Sequence, residues 1–197
     1  MDSETISKKS QQLRLYFAKT ARDMILQSGM EAVSIRAIAK QAGYAYGTIY
    51  NHFANLDELL WLTRDLLMAD IGDYIEQKAD GGAVTCSADV AALFGVYAEY
   101  FIKHPSVYRF LYFYPLSRNA KHAPGYIETD AYREKFSKTF AYLSARMEPQ
   151  DIQNAVKTIL YSIHGLLTLS ISKNDDLGIE NVQDEIGEIV RYLLGGS

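Results

Sequence analysis

The sequence predicts an all-α fold with about nine helices. Only four prolines interrupt its 197 residues, and no stretch keeps up the alternation of apolar and polar residues that marks a half-buried strand. Apolar residues recur instead at spacings of three and four, as they do along the buried face of a helix. Because 48% of the residues are hydrophobic, the chain can bury a substantial core.

Of the three N-terminal helices the second and third are short, and the first two have clear ends. The first is predicted over residues 8–28, and Gly29 after it suits a helix C-terminus. Ser34 is a good N-cap for the second helix, which Gly43 ends. The third helix follows at about residues 46–52.

Six further helices are predicted after residue 53. Asn55 followed by Glu58 resembles a capping box and opens the first of them. Pro105 fits the first turn of a helix and Pro115 ends one, while residues 80–87 form the clearest break in the pattern. The predicted ranges are 55–78, 88–103, 105–114, 126–146, 149–172 and 179–194.

Charge is distributed unevenly along the chain. Residues 1–53 hold seven basic and four acidic residues, whereas the remainder holds 13 basic and 20 acidic residues. A basic end on an acidic body is typical of a nucleic-acid-binding protein, although solvated helix faces would give the same balance, so both interpretations stay open. The seven basic residues are Lys8, Lys9, Arg14, Lys19, Arg22, Arg36 and Lys40.

Several classes of function find no support in the sequence. There is no glycine-rich phosphate loop, no nucleophile elbow and no metal-ligand spacing among four scattered histidines, so we expect neither an enzyme nor a cofactor. The single cysteine, Cys86, excludes an internal disulfide and suits a reducing compartment, and a redox role for it stays open. The N-terminus lacks the apolar run of a signal peptide, and the apolar stretch 159–171 is too short and too polar to span a bilayer. We therefore expect a cytoplasmic protein without a membrane partner.

The second and third helices, with Gly43 in the turn between them, have the dimensions of a helix-turn-helix. In that motif the second helix enters the major groove of DNA with its N-terminal residues at the base edges. Tyr46 and Tyr50 share one face of this helix, and Thr48 and His52 share another, so uncharged donors are placed to reach phosphate oxygens. A helical hairpin that packs its tyrosines on the rest of the protein is the alternative.

Residues 34–53, SIRAIAKQAGYAYGTIYNHF, resemble the DNA-binding segment of the tetracycline-repressor (TetR/AcrR) family. The elements AxxAG and GTxYxHF stand at the family's spacing, and ILQSGMEAVS before them and NLDELL after them extend the resemblance over most of residues 13–60. The resemblance implies base contacts from Arg36, Tyr46, Gly47 and Thr48. It implies phosphate contacts from Ser34, Tyr50 and His52.

Two positions depart from the family's pattern. Ala45 stands where family members often have a polar N-cap, and Leu56 stands where they usually have a lysine. Without that cation one strong phosphate contact is absent, which lowers the expected strength of DNA binding.

The C-terminal part resembles the ligand-binding domain of one branch of that family, which carries HPxxYR and xxHG elements. The matching stretches are HPSVYRFLY (104–112) and YSIHGLLTLS (161–170). This resemblance implies a small-molecule effector. We therefore expect a helix-turn-helix DNA-binding domain at residues 1–53 and an effector-binding and dimerisation domain at residues 54–197.

Aromatic residues concentrate in the predicted effector domain. Residues 94–142 hold eight of the 15 tyrosines and six of the eight phenylalanines. Buried tyrosine hydroxyls need partners, so a phenol-rich interior indicates a cavity with polar groups, although each aromatic residue alone also fits an ordinary core. His164, on an apolar helix, is either a satisfied core histidine or a group that orients a ligand. The candidates to line the site are Tyr97, Tyr100, Phe101, Tyr108, Phe136, Phe140, Tyr161 and His164.

The last two helices are apolar around much of their circumference. The steps from Ile179 to Val182, Ile186, Ile189 and Leu193 alternate between three and four residues, which predicts a seam for another helix. A two-fold homodimer through these helices is the expected arrangement.

Together these patterns predict a one-component transcriptional regulator that binds a double-stranded DNA operator and is a repressor released by a small apolar or aromatic ligand. Repression follows from the resemblance alone, and activation stays open. The competing hypothesis is an all-α dimeric protein that binds or sequesters a ligand without DNA activity. That hypothesis gives no reason for a matching helix-turn-helix.

Overall fold

The computed structural model describes residues 8–78, 84–117, 137–172 and 181–194. Those residues form nine α-helices, a short 3₁₀ helix (Met30–Ala32) and no strand, which confirms the all-α prediction. The predicted helix ends agree with the observed ones to within two residues wherever they fall on described residues. The α-helices are α1 (Lys8–Ser28), α2 (Ile35–Ala42), α3 (Tyr46–Tyr50), α4 (Leu56–Lys78), α5 (Ser87–Lys103), α6 (Pro105–Phe113), α7 (Ser137–Ser144), α8 (Pro149–Ser172) and α9 (Val182–Leu194).

The described residues divide into two compact units. The first consists of residues 8–70 and 106–117, and the second of residues 71–78, 84–105, 137–172 and 181–194. α4 contributes to both units. The predicted domain boundary after residue 53 stays a prediction.

The core of the first unit forms where α1 packs on α2 and α2 packs on α3. Phe17 and Ile25 of α1, Ile38 of α2, Ile49 of α3 and Phe53 after α3 are at most 1% exposed. They come from four segments within about 40 residues of sequence, which makes this a locally connected helical cluster. A helix as short as α3 would be only marginally stable in isolation. The apolar contacts of this core therefore stabilise it.

Local capping signals set the helix ends between residues 34 and 58. The hydroxyl oxygen of Ser34 accepts a hydrogen bond from the N–H of Ala37 at 3.1 Å, and Gly43 ends α2 with a left-handed φ of 78°. The side-chain oxygen of Asn55 accepts a hydrogen bond from the N–H of Glu58 at 2.9 Å. All three predicted capping roles are confirmed.

Glu58 departs from the predicted capping box and joins a buried ion pair. One carboxylate oxygen accepts a hydrogen bond from the N–H of Ala54 at 2.7 Å, and the other lies 2.9 Å from Nη2 of Arg14. Arg14 and Glu58 are each 8% exposed. The guanidinium of Arg14 also donates to the carbonyl of His52 and lies 4.3 Å from the ring centroid of Phe53. The pair thus fastens α1 to the start of α4 and to the end of the helix-turn-helix.

The core of the second unit forms between α5, α8 and α9, which pack on one another. Val182, Ile186 and Val190 of α9 are completely buried there. The expectation that Val182 and Ile186 line a seam between subunits is therefore wrong, because both are already covered within the subunit. A three-and-four pattern identifies an apolar face but does not say which helix covers it. Ile179 lies outside the described residues.

A polar and aromatic cluster fastens the end of α4 to α5 in the second unit. The ammonium of Lys103 donates to the hydroxyl of Tyr74 at 2.9 Å and to the carboxylate of Glu99 at 2.5 Å. The bond from Lys103 lowers the pKa of Glu99, so the carboxylate stays charged at neutral pH. The ring of Tyr74 meets that of the buried Tyr100 edge-on, with centroids 5.3 Å apart.

The start of α5 is capped by Asp89. Its carboxylate accepts hydrogen bonds from the N–H of Thr85 at 2.7 Å and from the N–H of Cys86 at 3.1 Å. These bonds, with that from Thr85 first, lower the pKa of Asp89 from 3.8 to about 2. Cys86 is the exposed N-cap residue of the helix, and whether it has a redox role stays open.

α8 is long and apolar enough, by length and composition, to cross a membrane. Its residues Ile152, Ile159, Ile163 and Leu167 are buried in the second unit, however. Core helices of soluble proteins meet the same two criteria, so α8 is weak evidence for a membrane segment.

Candidate nucleic-acid interface

The seven predicted DNA-contacting residues all lie in the first unit, on α2, α3 and the residues that flank them. Ile49 and Phe53 anchor α3 from behind, and the opposite face of this helix is left uncovered by the described residues. Two of the seven, Thr48 and His52, are half-buried. The other five are exposed, and they are Ser34, Arg36, Tyr46, Gly47 and Tyr50.

Tyr46 and Tyr50 project from α3 with 56% and 54% of their surface exposed. Their rings meet edge-on, with centroids 6.4 Å apart. The Cζ atom of Arg36 lies 5.7 Å from the ring centroid of Tyr46, within the range of a cation–π attraction. This arrangement links the first turns of α2 and α3 and places the guanidinium of Arg36 near the ring of Tyr46. An arginine fork matches guanine O6 and N7, and phenols suit phosphate oxygens.

Tyr44, in the turn of the helix-turn-helix, has a different role. Its ring packs edge-on against Phe17 at 5.3 Å and lies 6.2 Å from the ring of Tyr16. These contacts fix the turn against α1. The hypothesis of a hairpin that packs its tyrosines on the protein therefore describes Tyr44, but it does not describe Tyr46 or Tyr50.

The seven N-terminal cations do not all face solvent. Arg14 is buried against Glu58, and Arg22 pairs with Asp23 at 2.9 Å and with Asp70 at 3.4 Å. The expectation that these two arginines attract DNA is therefore corrected, because their charges are balanced within the fold. Sequence reasoning missed the role of Arg14, since its partner lies 44 residues away. The exposed cations are Lys8, Lys9, Lys19, Arg36 and Lys40.

Part of the predicted ligand-binding group comes together in the second unit. Tyr97, Tyr100 and Phe101 of α5 are buried. The hydroxyl of Tyr97 lies 3.1 Å from Nε2 of His164 on α8, and the rings of Tyr97 and Phe101 meet edge-on at 5.0 Å. Burial lowers the pKa of His164, so its ring is neutral near pH 7. A neutral imidazole bonded to a phenol is the kind of polar group that orients an otherwise apolar ligand.

One of the other four ligand candidates faces solvent, and the remaining three lie in the first unit or outside the described part of the structure. Tyr161 is 72% exposed, so the expectation that it lines the interior of the subunit is wrong. The positions two residues before and after it on α8 face the core, and the helical period therefore turns Tyr161 to the opposite side. Tyr108 is buried in the first unit. Phe136 and the side chain of Phe140 lie outside the described part of the structure.

The exposed face of α2 and α3 carries groups that can donate hydrogen bonds. Its side chains offer hydroxyls, an imidazole and a guanidinium. Within the described residues, no group of three or more His, Cys, Asp or Glu side chains is placed to hold a metal ion.

The same segment carries the likeness to known proteins. Residues 18–60 match the model of the family described as bacterial regulatory proteins, tetR family. The HTH-type transcriptional regulator PksA of Bacillus subtilis is 36% identical to this chain over 66 residues, which cover 34% of this chain and 32% of PksA. The matches to curated relatives span 32% to 48% of the relatives' own length.

Two solved structures share the fold over most of the chain. A tetR-family transcriptional regulator from Streptomyces coelicolor has a TM-score of 0.61 at 13% identity, covering 92% of this chain and 81% of that one. FadR of Thermus thermophilus, a TetR-family transcriptional repressor in complex with lauroyl-CoA, has a TM-score of 0.55 at 18% identity, covering 93% and 94%. At these identities the likeness shows the fold alone, and membership of the branch with the HPxxYR and xxHG elements stays a prediction. The matched segment is thus similar to the tetR-family regulatory proteins, and the chain has the fold of solved TetR-family regulators.

Proposed function

We propose that this protein is a one-component transcriptional regulator, which binds operator DNA through α2 and α3 and responds to a small apolar or aromatic ligand. The uncovered face of α3 is the observation that carries the proposal. Tyr46 and Tyr50 remain more than half exposed, although the same five-residue helix buries Ile49 completely. Large aromatic side chains that stay exposed on so short a helix indicate that this face binds a partner.

The first turn of α3 and the start of α2 supply the proposed base contacts. Tyr46, Gly47 and Thr48 occupy the turn that reaches base edges in this motif, and Arg36 lies beside it. A Cβ atom added at Gly47 would meet nothing within 4 Å, so the fold itself does not require a glycine there. Glycine lowers helix stability by roughly 1 kcal/mol relative to alanine, which supports a close approach of DNA at this position.

Ser34, Tyr50 and His52 are the proposed phosphate contacts. The hydroxyl oxygen of Ser34 already accepts a hydrogen bond from the N–H of Ala37, which leaves the hydroxyl proton for donation to a phosphate. Contacts of this kind fix the register and orientation of a protein on DNA without reading its sequence.

Replacing Lys8 and Lys9 by alanine should reduce the salt dependence of DNA binding. No Lys or Arg stands between Lys40 and Arg64, so counterion release depends largely on the exposed cations of α1. Each lost phosphate contact should lower the slope of log affinity against log salt by about 0.9. Binding measured from about 50 to 200 mM salt gives this slope. The matched control is Arg22→Ala, whose charge is already paired, and an unchanged slope in the lysine variant would show that the first turn of α1 is not on the DNA.

The ligand site is proposed in the second unit, around Tyr97, Phe101 and His164. These residues combine aromatic rings with one neutral hydrogen-bonded pair, and such sites suit an apolar ligand with few polar groups. The repressor FadR, which shares the fold, was solved with lauroyl-CoA, whose acyl chain is apolar, and this supports repression with an effector that has an apolar part here.

Ligand and operator should weaken each other's binding by the same factor, because coupling between two sites is reciprocal. The ligand can be identified by mass spectrometry of the purified protein, and calorimetry then gives its affinity with and without operator. Tyr97→Phe should weaken ligand binding about threefold to tenfold, because it removes one hydrogen bond and keeps the ring. The same variant should bind operator normally in the absence of ligand. Equal ligand affinities with and without operator would contradict the switch.

We propose that the homodimer uses the exposed side of the last two helices and not the seam through Val182 and Ile186. Tyr161 of α8 and Tyr192 of α9 are 72% and 87% exposed, which is unusual for such large rings. A double change of these tyrosines to glutamate should convert a dimer to a monomer in sedimentation. Tyr112→Glu, at an exposed tyrosine of the first unit, should leave the dimer intact. A wild-type protein that sediments as a monomer, or a double variant that stays dimeric, would rule this interface out.

A gel shift with the protein's own upstream DNA tests the regulator against the competing hypothesis. The wild-type protein should shift the fragment, and the double change of Tyr46 and Tyr50 to alanine should abolish the shift while ligand binding persists. A protein that binds its ligand but shifts no upstream fragment would favour a ligand-binding protein without DNA activity. We expect the regulator to work in the cytoplasm, where its operator is accessible.

A further inference from the structure

His52 is held by α1 on both its ring and its backbone. It lies two residues beyond the end of α3, and its Nδ1 atom is 3.0 Å from the hydroxyl oxygen of Ser10 in the first turn of α1. Its backbone carbonyl accepts a hydrogen bond from the guanidinium of Arg14. The ring of Phe17 lies beside the imidazole, with centroids 6.3 Å apart. Three residues of one helix thus fix where the imidazole of His52 stands.

The group bonded to one ring nitrogen decides what the other can do. A neutral imidazole has one N–H donor and one acceptor nitrogen, and a partner at Nδ1 influences which of the two tautomers forms. A serine hydroxyl can accept from Nδ1–H or donate to a bare Nδ1, and when it donates, the ring proton is on Nε2. A carbonyl in the place of Ser10 would require the proton on Nδ1, and Nε2 would then turn a lone pair toward any anion.

Nε2 is the ring nitrogen that is available to a partner outside the protein. Among the described residues, Nε2 of His52 has no hydrogen-bond partner, whereas Nδ1 is engaged by Ser10. The chain lacks Lys and Arg from residue 41 to residue 63, so a phosphate contact in this region depends on uncharged donors. Such donors are weaker than cations, and their contribution depends more on being correctly oriented beforehand.

We infer that Ser10 is a positioning residue for DNA binding, which holds His52 in the Nε2–H tautomer and aims it at a DNA phosphate. The inference rests on the proposed DNA-binding function, since it assigns the phosphate as the acceptor of the Nε2 proton. In this arrangement the Ser10 hydroxyl donates to Nδ1, and Nε2–H donates to the phosphate oxygen. α1 therefore contributes to the DNA contact through His52, without touching the DNA at Ser10.

A measurement without DNA tests the tautomer. Nitrogen NMR distinguishes a protonated from an unprotonated imidazole nitrogen, and at about pH 8 ordinary imidazoles are neutral. In the wild-type protein we expect Nε2 of His52 to carry the proton and Nδ1 to be bare. Ser10→Ala should give a mixture of the two tautomers, and Ser10→Thr, which keeps the hydroxyl, should restore the wild-type spectrum. A wild-type ring with its proton on Nδ1 would overturn the inference.

A double-mutant cycle on the upstream fragment tests the consequence for binding. Ser10→Ala should weaken binding about threefold to tenfold, equally for all operator variants, because an oriented hydrogen bond contributes that much. His52→Ala should weaken binding at least as much, and adding Ser10→Ala to it should cause no further loss. Gln11→Ala, at the exposed neighbour of Ser10, is the matched control and should bind as the wild type does.

The outcomes separate the inference from the proposed function. Losses that add in the double variant, or a Ser10→Ala protein with unchanged affinity, would overturn the positioning role even if the wild type binds DNA. A wild-type protein that shifts no DNA would overturn the proposed function and the phosphate contact together, whereas the NMR spectra would still decide the tautomer.

Discussion

Replacing Arg14 by alanine should lower the free energy of unfolding by about 3 to 5 kcal/mol, the cost of removing one partner from a buried ion pair. Arg14 and Glu58 are each 8% exposed, so the carboxylate that remains has little access to water. The substitution also removes the donor to the carbonyl of His52 and the cation over the ring of Phe53. Each of these losses destabilises the folded state, so we expect this substitution to have the largest effect on the free energy of unfolding.

Urea denaturation followed by circular dichroism measures this effect. Lys19→Ala, at an exposed cation on the same helix, is the matched control and should change stability by less than about 0.5 kcal/mol. A double change of Arg14 and Glu58 to methionine should recover most of the loss, because it removes both buried charges and keeps apolar volume. If Arg14→Ala lowered the free energy of unfolding no more than Lys19→Ala, the pair would behave as a surface contact, and its role as a stabilising buried ion pair would be disproved.

The second large effect concerns sequence reading by Arg36. Arg36→Ala should weaken operator binding by about 1 to 3 kcal/mol and relax the preference at one base pair. Arg36 is exposed, and the ring of Tyr46 lies 5.7 Å from its guanidinium, so the arginine is oriented before DNA arrives. The stability of the free protein should stay within about 0.5 kcal/mol of the wild type, as for other exposed positions.

Binding to a panel of single-base operator variants measures the loss of specificity. Tyr50→Phe is the matched comparison, because it removes a hydroxyl from a proposed phosphate contact and should weaken all variants alike. If Arg36→Ala also weakened all variants equally, Arg36 would be a phosphate contact and the proposed base reading would be wrong.

The parts of the fold that could be predicted from the sequence depend on short-range signals. Ser34, Gly43 and Asn55 act on backbone groups within a few residues, so their capping roles follow from the local sequence. The partner of Arg14 stands 44 residues away, and nothing in the local sequence distinguishes this arginine from a solvated one. Long-range pairing of charges is therefore where sequence reasoning failed.

The faces of the C-terminal helices show the same limit. Hydrophobic spacing correctly indicated that Val182 and Ile186 are buried, but it could not tell a neighbouring helix of the same subunit from a partner subunit. Tyr161 was expected to line a site because it stands near His164 in sequence. The helical period separates the two, since α8 turns Tyr161 into solvent while His164 reaches Tyr97.

The buried pair of Arg14 and Glu58 also constrains how hybrid proteins can be built from this chain. A graft that joined residues 1–53 to the body of another protein of this fold would carry Arg14 away from the carboxylate that neutralises it. The hydroxyl of Thr63 bonds the carbonyl of Ala18, and Arg22 pairs with Asp70, so the contacts of α1 continue along α4. The segment that can be exchanged as a unit therefore ends at about residue 70, and a recombinant joined there transfers the proposed DNA-binding segment together with the contacts that stabilise it.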